Sequence, residues 1–158
     1  WAKVSGPGTV TFGAATSEDT SIEVSLDGTY VISLTATDVN GNAVADEITV
    51  VADTVAPSVN AGADAVARVG SLTVSQDATV TSAAAVSWTK ESGSGNVTFG
   101  AASSEDTQIS ADTDGTYVLR LTATDAVGNS AYDELTFMRD SVAPGAFSIT
   151  APTGTITS

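Results

Sequence analysis

The sequence predicts an all-β protein made of antiparallel β-sandwiches in tandem, joined end to end by short Pro-containing linkers. Three observations predict this class. Long stretches alternate apolar and polar residues, clusters of Gly, Asn, Asp and Ser interrupt them, and the whole pattern recurs 87 positions later, from Trp1 to Trp88. Alternation with a period of two indicates strands with one buried face, and turns spaced about eight to twelve residues apart are typical of sandwiches.

The longest predicted strand occurs twice, within residues 27–42 and 114–129. In both stretches Tyr, Ile or Leu, Leu and Ala occupy alternate positions, with Val, Ser or Arg, and Thr between them. An Asp-Gly pair precedes each strand and a Gly-Asn pair follows it, and these residues favour turns because they tolerate unusual backbone angles or bond to their own backbone. Each stretch is therefore a strand with one buried and one wet face.

The repeat divides the chain into three predicted parts. Trp1 aligns with Trp88 and Pro57 with Pro144 without a gap, as expected for an internal tandem repeat. Residues 58–144, here called the second unit, form a complete repeat. Residues 1–57, the first unit, are the C-terminal part of a preceding repeat whose first strands are missing. Residues 145–158 begin a further, different domain.

Within the second unit the alternation predicts strands separated by short polar turns. Trp88 should be buried, because the apolar Val86 shares its face of the strand. It would then be the largest side chain in the core. By the repeat, the first unit would expose half of a core, including Trp1, Tyr30 and Leu34. Either a longer polypeptide or a strand donated by a neighbouring molecule would cover it. The predicted strands are 58–61 with 66–69, 78–81, 84–90, 96–100, 107–111, 116–125 and 132–139.

The composition excludes several classes of function. The chain has 19 acidic and 5 basic residues and a net charge of −14, so nucleic acid is not an expected partner. No apolar run is long enough to insert this segment into a membrane. The chain has neither Cys nor His, which removes thiolate and imidazole chemistry. Carboxylate, hydroxyl and carbonyl oxygens remain, and these are ligands for hard cations such as Ca²⁺.

The frame of the repeat resembles a known group of extracellular modules. Asp114-Gly115-Thr116-Tyr117 resembles the tyrosine corner of immunoglobulin-like domains, with Leu119 and Ile32 where those domains carry a Cys. Together with the Leu-Thr-Ala-Thr-Asp-x-x-Gly-Asn and Asp-x-Val-Ala-Pro motifs, the pattern is similar to the PKD, REJ and bacterial Ig-like repeats of large adhesin-type surface proteins. The tail from residue 143 resembles the opening of a fibronectin-III-like or other Ig-like domain.

The resemblance also implies a calcium site where one sandwich meets the next. Calcium-stiffened bacterial Ig-like arrays place acidic ligands in the loop after the long strand and in the linker, which correspond here to Asp125 and Asp53. In an Ig-like sandwich a second acidic loop lies at the same end, so the carboxylates would converge. The alternative is that these loops are ordinary solvated turns, with Asp38 capping its own. The candidate ligands are Asp53, Glu105, Asp106, Asp125 and Asn129, with Glu18, Asp19, Asp38 and Asn42 at the preceding junction and Asp140 at the next.

These features predict a non-catalytic structural stalk or adhesive region of a secreted or cell-surface bacterial protein, stiffened by calcium. Its partners would be neighbouring repeats of the same polypeptide, and another surface or a neighbouring subunit. Two alternatives stay open, an accessory carbohydrate- or protein-binding module of a secreted hydrolase, for which Tyr132 is the one candidate aromatic, and a strand-complemented subunit of a filament. An enzyme is not expected, because in Asp46-Glu47 and Asp133-Glu134 adjacent side chains point to opposite faces of a strand.

Overall fold

The computed structural model describes residues 1–148, which contain fourteen strands and no helix. The predicted all-β class is therefore confirmed. Within this range, no helix is available that could cross a membrane. Most of the different domain predicted over residues 145–158 lies outside the described residues. In the first unit the strands are β1 Ala2–Ser5, β2 Val10–Phe12, β3 Ile22–Val24, β4 Gly28–Thr37 and β5 Ala43–Ala52.

The second unit is a β-sandwich with nine strand segments. One sheet has the order β10-β13-β14-β7, in which β7 runs parallel to β14 and the other pairs are antiparallel. The sheet β11-β12-β8 and the pair β6-β9 complete the sandwich. The segments are β6 Ser58–Asn60, β7 Ala65–Arg68, β8 Thr73–Gln76, β9 Thr79–Thr81, β10 Ala85–Ser92, β11 Val97–Phe99, β12 Thr107–Ala111, β13 Gly115–Thr124 and β14 Ser130–Asp140.

The core of the second unit follows the predicted alternation. In β13 the side chains of Tyr117, Leu119, Leu121 and Ala123 are all fully buried. Trp88, on the neighbouring strand β10, is only 3% exposed and stacks on Phe99 with ring centroids 6.1 Å apart. The prediction that Trp88 is a core residue is confirmed. Burying large aromatic rings between the sheets supplies much of the apolar area that stabilises so Ala-rich a domain.

The tyrosine corner is present in both units. The Tyr117 hydroxyl donates to the Thr113 carbonyl at 2.6 Å, and the Tyr30 hydroxyl donates to the Leu26 carbonyl at 2.6 Å. Each bond fastens the start of the long strand to the turn before it. A Cβ on Gly93 (φ +108°) would lie 2.5 Å from Cδ1 of Tyr117, so only glycine lets the backbone approach this ring.

The first unit repeats the strand pairings of the second. Tyr30 lies opposite Val50 as Tyr117 lies opposite Phe137, in the sheet β1-β4-β5. Within residues 1–57 no strands correspond to β6–β9. Trp1 and Leu34 are half-buried, but the expectation that Tyr30 is exposed is wrong, because its ring is fully buried. The turn at Gly6 lies against this ring. Lys3 also covers it, with its Nζ 5.7 Å from the ring centroid.

Candidate functional site

The loop between β13 and β14 is organised around the carboxylate of Asp125. Its Oδ1 accepts hydrogen bonds from the backbone N–H groups of Val127, Gly128 and Asn129 at 2.8–2.9 Å. Its Oδ2 accepts a bond of 2.8 Å from the Asn129 side-chain amide. Gly128 has φ +101°, which a residue with a Cβ rarely adopts. The loop is therefore a closed turn wrapped around one carboxylate.

These hydrogen bonds favour the ionised form of the carboxylate. Partial desolvation raises the pKa of Asp125, but the Asn129 side chain and the three backbone donors outweigh it, so the pKa lies below its ordinary value of 3.8. The loop of the first unit has the same construction, with Asp38 accepting from Asn40 and Asn42. The side chain of Asn42, followed by its backbone N–H, lowers the pKa of Asp38.

The loop of the second unit also contacts the linker that enters it. The second side-chain N–H of Asn129 donates to the backbone carbonyl of Asp53 at 2.8 Å. The Asp53 carboxylate accepts from the N–H of Val55 at 2.9 Å, and Asp140 forms the equivalent bond with Val142 at 3.0 Å. The structure thus brings Asp53, Asp125 and Asn129 of the predicted set together, with the Asn129 amide bridging the linker and the loop.

The acidic loop before β12 has a different local role. The Asp106 carboxylate accepts from the N–H of Ala78 at 3.1 Å, which joins β12 to the start of β9. The carbonyl of Glu105 accepts from the indole N–H of Trp88 at 3.1 Å, and the carbonyl of Glu18 accepts from Trp1 at 3.2 Å. Asp19 is exposed. Across residues 1–148 no group of three or more acidic side chains could hold one metal ion.

Two further acidic residues, which the sequence assigned only to Asp-Gly turns, hold the linkers. The carboxylate of Asp27 accepts from the N–H and the hydroxyl of Thr54 at 3.1 and 3.0 Å. Asp114 binds the N–H and hydroxyl of Ser141 at 3.0 and 2.9 Å, and Arg139 at 2.5 Å. The sequence does carry a signal for these contacts, because Thr54 and Ser141 each follow the Asp at the end of the last strand of their unit. Each Asp-Gly turn therefore fixes the beginning of the outgoing linker.

Tyr132 lies on the outer face of the second unit, as its alternation suggested. It is 61% exposed, and the guanidinium of Arg120 lies over its ring at 4.2 Å. Arg120 also pairs with Glu134 at 2.7 Å and with Glu91 at 3.2 Å. The hydrogen bonds that Arg120 donates to the carboxylate of Glu134 are the main cause that raises the pKa of Arg120. The ring is thus already engaged in a surface ion cluster that the first unit lacks, since Ala45 stands there.

Comparison with known proteins bears on the second unit. Residues 61–138 match the family model described as "K319L-like, PKD domain". Over these residues the chain is similar to PKD domains. This family consists of non-catalytic modules. The PKD match covers strands β7 to β13 and most of β14, and it includes Asp106, Asp125 and Asn129.

Solved structures similar to the chain include a PKD domain. The solution structure of the PKD domain from the KIAA 1837 protein is 18% identical, with a TM-score of 0.49, and the match covers 61% of this chain and 99% of that one. A nucleoside hydrolase-related protein from Saccharophagus degradans, described as associated with carbohydrate metabolism, is 24% identical with a TM-score of 0.41. That match covers 52% of this chain and 25% of the other protein. No curated protein matches the chain.

Proposed function

We propose that this chain is a non-catalytic stalk or adhesive segment of a secreted or cell-surface protein, in which PKD-like sandwiches follow one another end to end. The sequence repeat of 87 positions and the identical pairing of Tyr30 with Val50 and Tyr117 with Phe137 support a tandem arrangement. The match to the PKD family model supports a structural rather than catalytic role. The net charge of −14 keeps such an array soluble and discourages lateral association.

The observation that carries the proposal is that the start of the linker is hydrogen-bonded to both units. Asp27 of the first unit binds Thr54. Asn129 of the second unit binds the carbonyl of Asp53. Only two residues, Val55 and Ala56, lie between Thr54 and the buried Pro57. A linker this short, with a proline and a hydrogen bond to each unit, restricts the motion of one unit against the other.

Calcium would add to this stiffness at the same place. The cation would be held by Oδ2 of Asp125, which accepts one hydrogen bond where Oδ1 accepts three, together with the carboxylate of Asp53 and Oδ1 of Asn129. Because Ca²⁺ takes six to eight oxygen ligands, water would complete the shell. We propose this smaller set in place of the wider cluster with Glu105 and Asp106. The corresponding positions at the other junctions are Asp38 with Asn42, and Asp140.

Thermal unfolding and small-angle X-ray scattering, each with calcium and with a chelator, test the proposal. We expect calcium to raise the unfolding midpoint and to narrow the distribution of particle dimensions. At a hundredfold excess over its dissociation constant it would contribute about 2.7 kcal/mol. Asp53→Asn with Asp125→Asn should abolish both effects. Asp77→Asn, which removes an exposed carboxylate outside every proposed calcium site, is the control and should leave them intact.

The two parts of the proposal can fail separately. If calcium changes neither curve, the carboxylates are only turn residues, and the calcium part is wrong. If the scattering curve without calcium already requires freely reorienting units, the short linker does not stiffen the chain, and the stalk itself is refuted.

A further inference from the structure

The loop between β4 and β5 carries an asparagine followed directly by a glycine at its tip. Asn40 and Gly41 are both exposed, and Gly41 has φ +88°. Apart from its chain neighbours, no heavy atom of the described residues lies within 4 Å of the place where a Cβ of Gly41 would stand. The backbone nitrogen of Gly41 is therefore sterically accessible to the side chain that precedes it.

This pair of residues has the groups for a reaction with itself. The backbone nitrogen of Gly41, once it has lost its proton, attacks Cγ of Asn40. A nitrogen–carbon bond forms, the bond from Cγ to the side-chain nitrogen breaks, and that nitrogen leaves as ammonia after taking up a proton. Water then opens the cyclic imide at either carbonyl and leaves an aspartyl residue, or an isoaspartyl linkage in which the main chain runs through Cγ. Each route exchanges a neutral amide for a carboxylate without any oxidation.

The other asparagines of the chain are internal references for this reaction. Each of them is followed by a residue whose Cβ hinders the approach of the backbone nitrogen. In the equivalent loop of the second unit, Val127 stands where the first unit has Asn40. The reactive pair is thus present in one of two otherwise similar loops. The references are Asn42 before Ala43, Asn60 before Ala61, Asn96 before Val97 and Asn129 before Ser130.

The folded loop restrains the pair through Asp38. The N–H of Gly41 donates to the carbonyl of Asp38 at 3.1 Å. Oδ1 of Asp38 accepts from the N–H groups of Asn40 and Asn42 at 2.8 and 2.9 Å, and its Oδ2 accepts from the Asn42 side chain. These bonds hold the main chain on both sides of the reacting nitrogen, and an N–H that is hydrogen-bonded loses its proton less easily. Attack therefore requires the loop to open.

We propose that Asn40 is a site of spontaneous deamidation, with water as the only co-reactant, and that the Asp38 cap sets its rate by controlling how often the loop opens. The product carries a further negative charge beside Asp38. The isoaspartyl form also lengthens the main chain by one methylene between the two N–H groups that Oδ1 of Asp38 accepts, so the modification uncaps this carboxylate. The inference depends on this loop alone and is independent of the stalk and of calcium.

Peptide mapping by mass spectrometry tests the site and its restraint. The full chain is incubated at mildly alkaline pH in chelator, folded and in urea, and conversion is followed at every asparagine. We expect Asn40 to convert first in both, and more slowly when folded. Asp38→Ala should accelerate the folded reaction about five- to tenfold, because loss of the cap raises the population of open loops.

A second variant separates the cap from its charge. Asp38→Ala also removes an anion that disfavours ionisation of the Gly41 nitrogen. Asn42→Ala keeps this anion but loses the side-chain hydrogen bond to Oδ2 of Asp38. If the cap controls opening of the loop, Asn42→Ala accelerates the reaction as well.

The second unit provides a matched transplant. Val127→Asn places the same pair in the loop capped by Asp125. There the N–H of Gly128 donates to the Asp125 carboxylate at 2.8 Å, a charge-assisted bond that is stronger than the one from Gly41 to a carbonyl. The transplanted asparagine should therefore convert more slowly than Asn40 in the same molecule. Asn40→Val, the reverse exchange, should abolish conversion in the first loop.

The site and its restraint can each be overturned. If Asn40 converts no faster than the four reference asparagines, in the parent and in Asp38→Ala alike, the site is wrong. If the folded parent converts as fast as the chain in urea, or if Asp38→Ala alone accelerates the reaction, the cap does not control it. A transplanted asparagine that outpaces Asn40 also contradicts the cap. The stalk proposal is unaffected by these outcomes, because it is tested by scattering.

Discussion

Single residues in this fold connect the core to the loops that surround it. Trp88 stacks on Phe99 inside the sandwich, while its indole N–H reaches the carbonyls of Ser104 and Glu105. Tyr117 likewise packs on Phe137, with centroids 5.9 Å apart, and bonds to Thr113 through its hydroxyl. A buried ring with a satisfied polar end fixes the position of a turn at little cost in desolvation.

Tyr117→Phe should lower the free energy of unfolding by about 1–2 kcal/mol, because it removes the hydrogen bond to the Thr113 carbonyl and keeps the ring. Tyr132→Phe is the matched control. Its side chain is mostly exposed, so we expect a change within about 0.5 kcal/mol. Urea unfolding of both variants measures the difference. Equal losses in the two variants would contradict the structural role given to the tyrosine corner.

The lowered pKa values in the two capped loops predict how the free energy of unfolding depends on pH. The hydrogen bonds lower the folded-state pKa of Asp125 and Asp38 below 3.8. A lowered pKa contributes stability that is fully present above the unfolded-state value and is lost as the pH falls through the folded-state value. In chelator, Asp125→Asn should therefore be less stable than the parent at pH 7, and the two should converge from about pH 4 downward.

Chemical unfolding at a series of pH values measures this convergence. Asp77→Asn, which removes a charge at an exposed position before β9, is the control and should run parallel to the parent. If the free energies of unfolding of Asp125→Asn and the parent differed by the same amount at every pH, the charge of Asp125 would not contribute to stability.

Individual strands differ in how well the sequence predicts them. The long strand β13 is predictable because four inward positions are apolar and turn residues bound it. Strand β8 is missing from the prediction because one of its two inward positions is Gln76, so Thr73–Gln76 shows no apolar alternation. The parallel pairing of β7 with β14 joins residues about 72 positions apart, and local periodicity carries no information about such a partner.

The sequence predicted which loops meet at the candidate site but not which atoms in them form hydrogen bonds. Sequence reasoning placed Asp53, Asp125 and Asn129 at one junction, and the Asn129 contact joins them. It could not tell that Asp125 turns back on its own loop or that Asp106 binds Ala78. Whether a short acidic side chain hydrogen-bonds to its own backbone or to a neighbouring element depends on distances of a few ångströms. The residue type does not determine these distances.

Gln76 fixes the segment between β6 and β7, two strands that belong to different sheets. It is almost completely buried, and its amide donates to the carbonyls of Ala61 and Ala63 at 2.7 and 3.1 Å, between β6 and β7. Gln76→Ala should cost about 2–4 kcal/mol, because it leaves two carbonyls without a donor and a gap beside them. Ser75→Ala, on the exposed side of the same strand, is the control. If calorimetry gave the same unfolding midpoint for both variants, this role of Gln76 would be contradicted.

At the scale of the whole molecule, function depends on how far one unit constrains the next. The contact between Asn129 and Asp53 is a single hydrogen bond at an exposed position, and by itself it is worth only about 1 kcal/mol. It acts together with the Asp27–Thr54 contact and the buried Pro57. Small restraints of this kind have a large effect on shape when the linker between them is short, because few torsions remain free.

Asn129→Ala should therefore widen the range of orientations between the units while the second unit stays folded. Spin labels on Thr11→Cys and Gln108→Cys report this distance, and each label is unique because the chain has no cysteine. We expect a narrow distance distribution in the parent and a clearly broader one in Asn129→Ala. Asn42→Ala is the matched control, because Asn42 caps Asp38 in the same way but does not contact Asp53 in the structure. If the Asn42 variant broadens the distribution as much as the Asn129 variant, the effect arises from loosening a loop, and the hydrogen bond to the linker does not restrain the junction.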